Sequence, residues 1–121
     1  MAIFSVHGAP SEYILEENAL KLLESKLLER NLHSVLIVHG KRSWDAAKPY
    51  WPVMNKVQCQ EYTYDGECSL AEIESVSQAV EQESIDAVIG VGGGKVLDLV
   101  KAVCDRTKKQ AILIPTLASN C

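Results

Sequence analysis

The chain has 121 residues, of which 47% are hydrophobic and 23% are charged. This composition is that of a globular domain with its own core, and it excludes a disordered segment. A net charge of −4 and the lack of Lys/Arg clusters exclude a basic nucleic-acid-binding surface, and no apolar run approaches the ~20 residues of a membrane span. The sequence starts without the basic and apolar regions of a secretory signal, and its four cysteines show no metal-ligand spacing. Cys59 and Cys104 fall among apolar positions, and we expect them to be small core residues. We therefore expect a cytoplasmic protein with reduced thiols that binds neither nucleic acid nor a membrane.

The first half of the sequence predicts helices and strands in alternation. Apolar residues three and four positions apart predict a helix over 17–30. The apolar run 34–38 is rich in β-branched residues and predicts a strand that is covered on both faces. A weaker helix over 43–48 is stopped by Pro49, and strand-type residues predict a second strand over 56–64.

The second half continues the alternation. Ser69 and Glu72 have the spacing of a capping box, which marks the start of a helix. The predicted buried face of that helix consists of Leu70, Ile73, Val76 and Val80. A strand over 87–89, a helix over 95–105 and a strand over 111–114 follow. Alternating helices and apolar strands predict a single α/β domain over 1–121, in which helices flank a parallel sheet.

A glycine loop, Gly92-Gly93-Gly94-Lys95, joins the strand over 87–89 to the next helix. Two phosphate motifs are excluded, because a P-loop needs a hydroxyl residue at Val96 and the dinucleotide fingerprint needs a glycine at Lys95. Three glycines still permit close approach of a ligand, and a helix start attracts anions. The spacing alone leaves two interpretations open: a pyrophosphate cradle, or a tight turn that needs small residues for packing.

Polar residues recur along the helix that follows the glycine loop. Lys95, Asp98, Lys101 and Asp105 are three or four positions apart and form a polar stripe. Asp98 lies one turn from the loop, where a carboxylate accepts a hydrogen bond from a ribose hydroxyl or orders the loop. A solvated helix face is the equally supported alternative for Asp98.

Two motifs together carry a resemblance to a known family. The segment Gly92-Gly-Gly-Lys-Val-Leu-Asp98, followed by Ile114-Pro-Thr-Leu-Ala-Ser119, resembles the amino-terminal domain of glycerol dehydrogenase and its relatives among the iron-containing, or group III, alcohol dehydrogenases. Segments 13–20 and 66–69 are similar to that family as well, so the resemblance covers essentially the whole chain. It implies a Rossmann-like domain that binds NAD(P) in a cleft against a second, helical domain, which this chain lacks.

The resemblance also implies roles for individual residues. The glycine loop, Gly92 to Lys95, contacts the pyrophosphate, with Asp98 as a further cofactor-binding candidate. Thr116 and Ser119 contact the nucleotide from the loop after the last strand, and both are alternatively simple turn residues. A divalent metal, zinc or iron, is held by an Asp and two His of the helical domain in such enzymes.

This chain departs from the family pattern at the metal and substrate positions. The three histidines, His7, His33 and His39, lack ligand spacing, and we expect them at the surface or in turns. We therefore expect no catalytic or metal-binding residue here, and a small-molecule substrate only in the full-length enzyme. Where glycerol dehydrogenases place a substrate-contacting Asp, this chain has Cys121, which disfavours glycerol and favours a hydroxycarboxylate enzyme.

The choice between NAD and NADP stays open. After the strand over 34–38 the sequence reads His39-Gly-Lys41-Arg42, without the acid that usually binds the ribose of NAD. Lys41 and Arg42 suit a 2′-phosphate, and two exposed basic residues are the equally supported alternative. A stand-alone nucleotide-binding module, or a hydroxycarboxylate or glycerol-phosphate dehydrogenase or synthase, remain alternative functions. We also expect a homo-oligomer, since loss of the helical domain exposes an apolar wall near Gly92 and Pro115.

Overall fold

The computed structural model describes residues 2–7, 12–16, 19–64 and 69–116, which form one six-stranded sheet with helices on both of its faces. The strands are β1 (Ala2–His7), β2 (Glu12–Glu16), β3 (Ser34–Gly40), β4 (Gln58–Tyr64), β5 (Ala87–Gly92) and β6 (Gln110–Pro115). The helices are α1 (Leu23–Glu29), α2 (Lys41–Ala47), α3 (Leu70–Gln82) and α4 (Gly94–Thr107), with 3₁₀ turns at Ala19–Leu22 and Lys48–Tyr50.

The strand order is β2-β1-β6-β5-β3-β4, and the last four of these strands are parallel to one another. The predicted parallel sheet is therefore confirmed. It is extended by a hairpin that the sequence analysis missed, in which β1 runs antiparallel to both β6 and β2. Antiparallel edge strands on otherwise parallel sheets are common. Because antiparallel strands need no crossover helix between them, the alternation of helices and strands along the sequence did not reveal this hairpin.

Two apolar clusters cover the two faces of the sheet. Because side chains alternate along a strand, Val35 and Ile37 of β3 join one cluster, whereas Leu36 and Val38 join the other. The first cluster packs under α1 and α2, and the second packs under α3 and α4. All six residues of β5 are buried, as expected for a central parallel strand.

The predicted amino-terminal end of α3 is confirmed, although its buried face starts later than expected. The Ser69 hydroxyl accepts a hydrogen bond from the Glu72 N–H at 3.2 Å, while the Glu72 carboxylate accepts one from the Tyr62 hydroxyl at 3.1 Å. Leu70, predicted to be buried, is 78% exposed because it occupies the first position of the helix, before α3 reaches the sheet. Val76 and Val80 are buried as predicted.

Two further expectations about single residues are wrong. His39 is buried, because α2 folds back over the end of β3 and covers it. Cys59 was expected to be a small core residue, but it is exposed because β4 is an edge strand.

Candidate functional site

A crevice lies between the carboxyl ends of β3 and β5, where the two following helices diverge. These strands are parallel neighbours, yet α2 leaves β3 toward one face of the sheet and α4 leaves β5 toward the other. In open α/β sheets, ligands bind in the crevice that such a divergence creates. The crevice is bordered by Gly40 at the end of β3 and by Gly92 at the end of β5.

The glycine loop has a backbone conformation that suits close approach of a ligand. Gly92 has φ of 150°, a region that residues with a Cβ rarely adopt. Gly93 is the N-cap of α4 and has no side chain with which to cap it, and Gly94 is the first residue of the helix. A Cβ added at Gly94 would meet no atom of the described residues within 4 Å, so packing does not require a glycine there.

Gly90, by contrast, is a glycine that packing does require. A Cβ at this position would lie 2.9 Å from Cγ2 of Val100, which is completely buried on α4. The sequence left a packing turn and an anion cradle as alternatives for the loop. Packing requires a glycine at position 90, before the loop, and does not require one at position 94. Gly90 lets α4 approach β5, whereas Gly94 borders open space at the crevice.

The segment after β6 is tied to the glycine loop. The backbone N–H of Thr116 donates to the carbonyl oxygen of Gly92 at 3.1 Å. The hydroxyl oxygen of Thr116 is buried there. Two of the candidate cofactor positions, Gly92 and Thr116, are thus neighbours, while Ser119 and Cys121 lie outside the described residues.

The charged candidates lie on the exposed side of α4. Lys95 is in the first turn, Asp98 follows one turn later, and both are exposed. Lys101 and Asp105 continue the same exposed stripe. The proximity of Lys95 to the loop is consistent with an anion-binding role, and the exposure of Asp98 fits either a ribose contact or a solvated face.

A functional-site candidate that the sequence did not assign is His39. Its ring stacks on Trp44 with centroids 4.5 Å apart and an interplanar angle of 9°. Its Nε2 atom lies 3.1 Å from Oε1 of Glu61 on β4. The available signal was the position of this histidine at the end of an apolar strand, directly before Gly40 and the exposed Lys41 and Arg42.

Comparison with protein families identifies the family to which this chain belongs. The family model described as iron-containing alcohol dehydrogenase matches residues 10–121. The chain belongs to the iron-containing alcohol dehydrogenase family. The expectation from the glycine loop and the segment after β6 is confirmed.

Individual relatives agree with this assignment. The chain is 33% identical over 112 residues to a glycerol dehydrogenase of Thermotoga maritima, covering 92% of this chain and 30% of that enzyme. It is 35% identical over 112 residues to a glycerol-1-phosphate dehydrogenase [NAD(P)+] of Methanococcus aeolicus, with the same coverage. The crystal structure of a probable glycerol dehydrogenase from Sinorhizobium meliloti 1021 superposes with a TM-score of 0.62 at 26% identity, covering 74% of this chain and 24% of that one. The chain thus spans about 30% of the length of the curated dehydrogenases it matches.

A metal site is not formed within the described part of this family member. No group of three or more His, Cys, Asp or Glu side chains among the described residues is arranged to hold a metal ion. The described residues therefore do not provide the set of ligands that a zinc or iron centre needs. No helix within the described ranges has the length and apolar character that crossing a membrane requires.

The two described thiols are poorly suited to act as nucleophiles. Burial raises the pKa of the Cys104 thiol to about 12, although a backbone hydrogen bond partly opposes this effect. Partial desolvation, and then the negative charges of Glu24 and Glu61, raise the pKa of Cys59. Both side chains therefore stay protonated at neutral pH.

Proposed function

We propose that this chain binds the dinucleotide NAD(P) at the crevice between β3 and β5. In the complete enzyme this domain would serve an oxidoreductase that acts on a small alcohol, a polyol or a 2-hydroxy acid. The observation that carries the proposal is the glycine loop, which has a positive φ at Gly92 and open space beside Gly94, at the point where α2 and α4 diverge. This arrangement supports binding of a pyrophosphate, since helix starts provide N–H donors and partial positive charge.

Different site residues are proposed to contact different parts of the dinucleotide. Gly92, Gly93 and Gly94 let the backbone approach the pyrophosphate, and Lys95 adds a full positive charge. Thr116, held beside Gly92 by a backbone hydrogen bond, contacts the nucleotide from the adjacent loop. Asp98 accepts a hydrogen bond from a ribose hydroxyl, and Ser119 is proposed to contact the nucleotide as well.

The 2′-position of the adenosine ribose is where NAD and NADP differ. Lys41 and Arg42 are exposed at the start of α2, across the crevice from the glycine loop. Arginine and lysine bind phosphate through charge-assisted hydrogen bonds, so this pair supports NADP(H) at least as well as NAD(H).

The division of labour in the complete enzyme follows from what this chain contains. Bound NAD(P) supplies the hydride chemistry, and the residues of this chain bind and orient it. The described residues offer no metal centre to hold the oxygen of a substrate alcohol. We therefore propose that a zinc or iron site belongs to another part of the complete enzyme and that this chain alone does not turn over substrate. Separately, we propose that the protein forms a homo-oligomer.

The test is a titration of the chain with NADH and with NADPH, followed by the fluorescence of the nicotinamide. We expect saturable binding, and we expect Lys95→Ala to weaken it by about tenfold, since a charge-assisted hydrogen bond contributes about 1.5 kcal/mol. Lys101→Ala is the matched control, because Lys101 is also exposed on α4 but lies farther from the loop. Absence of saturable binding of either dinucleotide, or equal effects of the two substitutions, would contradict the proposal.

A binding module without chemistry is the second candidate. The absence of a metal-ligand cluster among the described residues favours it over an enzyme that is complete within this chain. The two candidates differ in the reading frame after Cys121. A downstream helical segment with one Asp and two spaced His supports the dehydrogenase, whereas a native stop codon supports the module.

A further inference from the structure

His39 lies beside the crevice, on one face of the sheet. Its position in β3 pairs in register with Val91 of β5, the residue before Gly92. The next residue in the chain, Gly40, is the N-cap of α2, and Lys41 and Arg42 follow directly. One residue, Gly40, therefore separates His39 from the basic pair.

Two neighbours hold the His39 ring in place. On one edge, Nε2 lies 3.1 Å from Oε1 of Glu61 on the edge strand β4. On one face, the ring stacks on Trp44, whose own ring meets Trp51 edge to face with centroids 5.1 Å apart. His39 and Trp44 are 3% and 8% exposed, so water competes little with these contacts.

The position of α2 depends on this stack. α2 has seven residues, too few for a stable isolated helix, and its N-cap is a glycine without a capping side chain. Trp44 is a buried member of the core cluster, and Ala47 at the other end of α2 packs against the same cluster. The packing of Trp44 on His39 thus holds α2 against the sheet beside the end of β3.

The two ring nitrogens of His39 have different surroundings. Because the Glu61 carboxylate accepts at Nε2, the neutral ring carries its proton there, and Nδ1 is an acceptor. Nδ1 is buried and has no hydrogen-bond partner among the described residues. Of the elements packed on His39, β4 contributes Glu61, α2 carries the exposed Lys41, Arg42 and Asp45, and β5 contributes no charged residue. The contacts that orient the His39 ring are therefore the bond to Glu61 and the stack on Trp44.

We propose that His39 is a positioning residue for Lys41 and Arg42, and through them for the 2′-phosphate of NADP(H). The inference rests on the proposed dinucleotide site and adds to it a residue that sets the preference between the two cofactors. His39 acts through the stack with Trp44 and the bond to Glu61, and it does not touch the ligand itself.

Two substitutions separate the two contacts. His39→Phe keeps a flat ring for Trp44 and loses the bond to Glu61, whereas His39→Gln keeps an N–H donor and loses the stack. We expect each to weaken NADPH binding about threefold to tenfold, the equivalent of one lost contact of about 1 kcal/mol, and to change NADH binding less than about twofold. His33→Gln is the matched control, because His33 is exposed before β3.

A second readout needs no ligand. In a Trp51→Phe background Trp44 is the sole tryptophan, since the chain has two. The emission of an indole depends on its surroundings, and Trp44 is buried against the His39 ring. We therefore expect His39→Gln, which removes the stacked ring, to shift the emission maximum of Trp44, and His39→Phe, which keeps a flat ring, to shift it less.

The outcomes are distinct. Equal losses of NADH and NADPH affinity in the His39 variants, unchanged affinity for both, or a Trp44 emission that is unchanged in His39→Gln would each overturn the role of His39 while leaving the dinucleotide site intact. Failure of the unsubstituted chain to bind either dinucleotide would overturn the site itself, and the positioning role with it.

Discussion

The backbone N–H of Thr116 donates to the carbonyl oxygen of Gly92 at 3.1 Å, which joins the segment after β6 to the first residue of the glycine loop. These two residues belong to the two sequence motifs that indicated the family. Their motifs are more than 20 positions apart in the chain, yet they meet because β5 and β6 are parallel neighbours whose ends align, Gly92 opposite Pro115. The pair of motifs therefore marks one edge of one crevice.

The glycines of this region differ in what they do, and alanine substitutions distinguish them. Gly90→Ala places a Cβ 2.9 Å from Cγ2 of Val100, which has no room to move in the core. We expect the free energy of unfolding, measured by urea denaturation, to fall by about 1–3 kcal/mol. Gly94→Ala is the matched control and should stay within about 0.5 kcal/mol of the unsubstituted chain, because its Cβ points into open space. Equal stability of the two variants would refute the packing role of Gly90.

The backbone conformation of Gly92 predicts that an alanine at this position destabilises the chain. At φ of 150°, an alanine is strained whatever space surrounds it. Gly92→Ala should destabilise the chain by about 1–3 kcal/mol, and it should weaken NADH binding because the loop must adopt another shape. Thermal unfolding and the nicotinamide titration measure the two effects. Unchanged unfolding and unchanged binding would show that the loop does not depend on this backbone geometry.

The N-cap of α3 offers a test of local structure away from the crevice. Ser69→Ala removes the acceptor of the Glu72 N–H and should lower the free energy of unfolding by about 1 kcal/mol. Ser69→Asp restores an acceptor and should recover most of that loss. Urea unfolding of the three proteins checks the order; if Ser69→Asp is no more stable than Ser69→Ala, the cap is not responsible.

The buried Cys104 thiol is expected to make the free energy of unfolding fall as the pH becomes alkaline. Its pKa is raised by burial to about 12 in the folded chain, above the ordinary value of 9.0, so the unfolded thiol loses its proton first. The stabilisation is fully present below about pH 9 and is lost as the pH rises toward about 12, at about 1.4 kcal/mol per pH unit in that window. Cys104→Ala lacks this contribution. The stability advantage of the unsubstituted chain over Cys104→Ala should therefore shrink by about 1.4 kcal/mol between about pH 8 and about pH 10.

Urea midpoints of both proteins at the two pH values measure this difference. Using the variant as the reference cancels the lysines and tyrosines that titrate in the same range. A difference between the two proteins that does not change with pH would be evidence against a desolvated Cys104 thiol.

Much of the fold could be predicted from the sequence, because the signals were local and strong. The apolar runs of β3, β5 and β6, the capping residues of α3 and the glycine loop each identified an element within a few residues of its observed position. The hairpin of β1 and β2 was missed, since its strands are short and pair antiparallel at one side of the sheet, without the intervening helix by which the parallel strands were recognised.

The site was predicted less completely than the fold. The glycine loop and the segment after β6 could be recognised because their residue types are unusual for a core. His39 could not, because its burial depends on the path of α2 and on a stack with Trp44 that no periodicity encodes. Tertiary contacts of this kind become visible only when the positions of neighbouring elements are known.

The central claim, that the glycine loop binds the pyrophosphate of a dinucleotide, is tested most directly by amide chemical shifts. The chain, labelled with ¹⁵N, is titrated with NADH, and shift changes are mapped by residue. The account predicts the largest changes at Gly93, Gly94, Lys95 and Thr116. A different surface serves as the internal comparison: the open groove of about 290 Å³ lined by His7, Lys101, Asp105 and Lys109. Changes confined to that groove, or the absence of saturable changes at the glycine loop, would contradict the account.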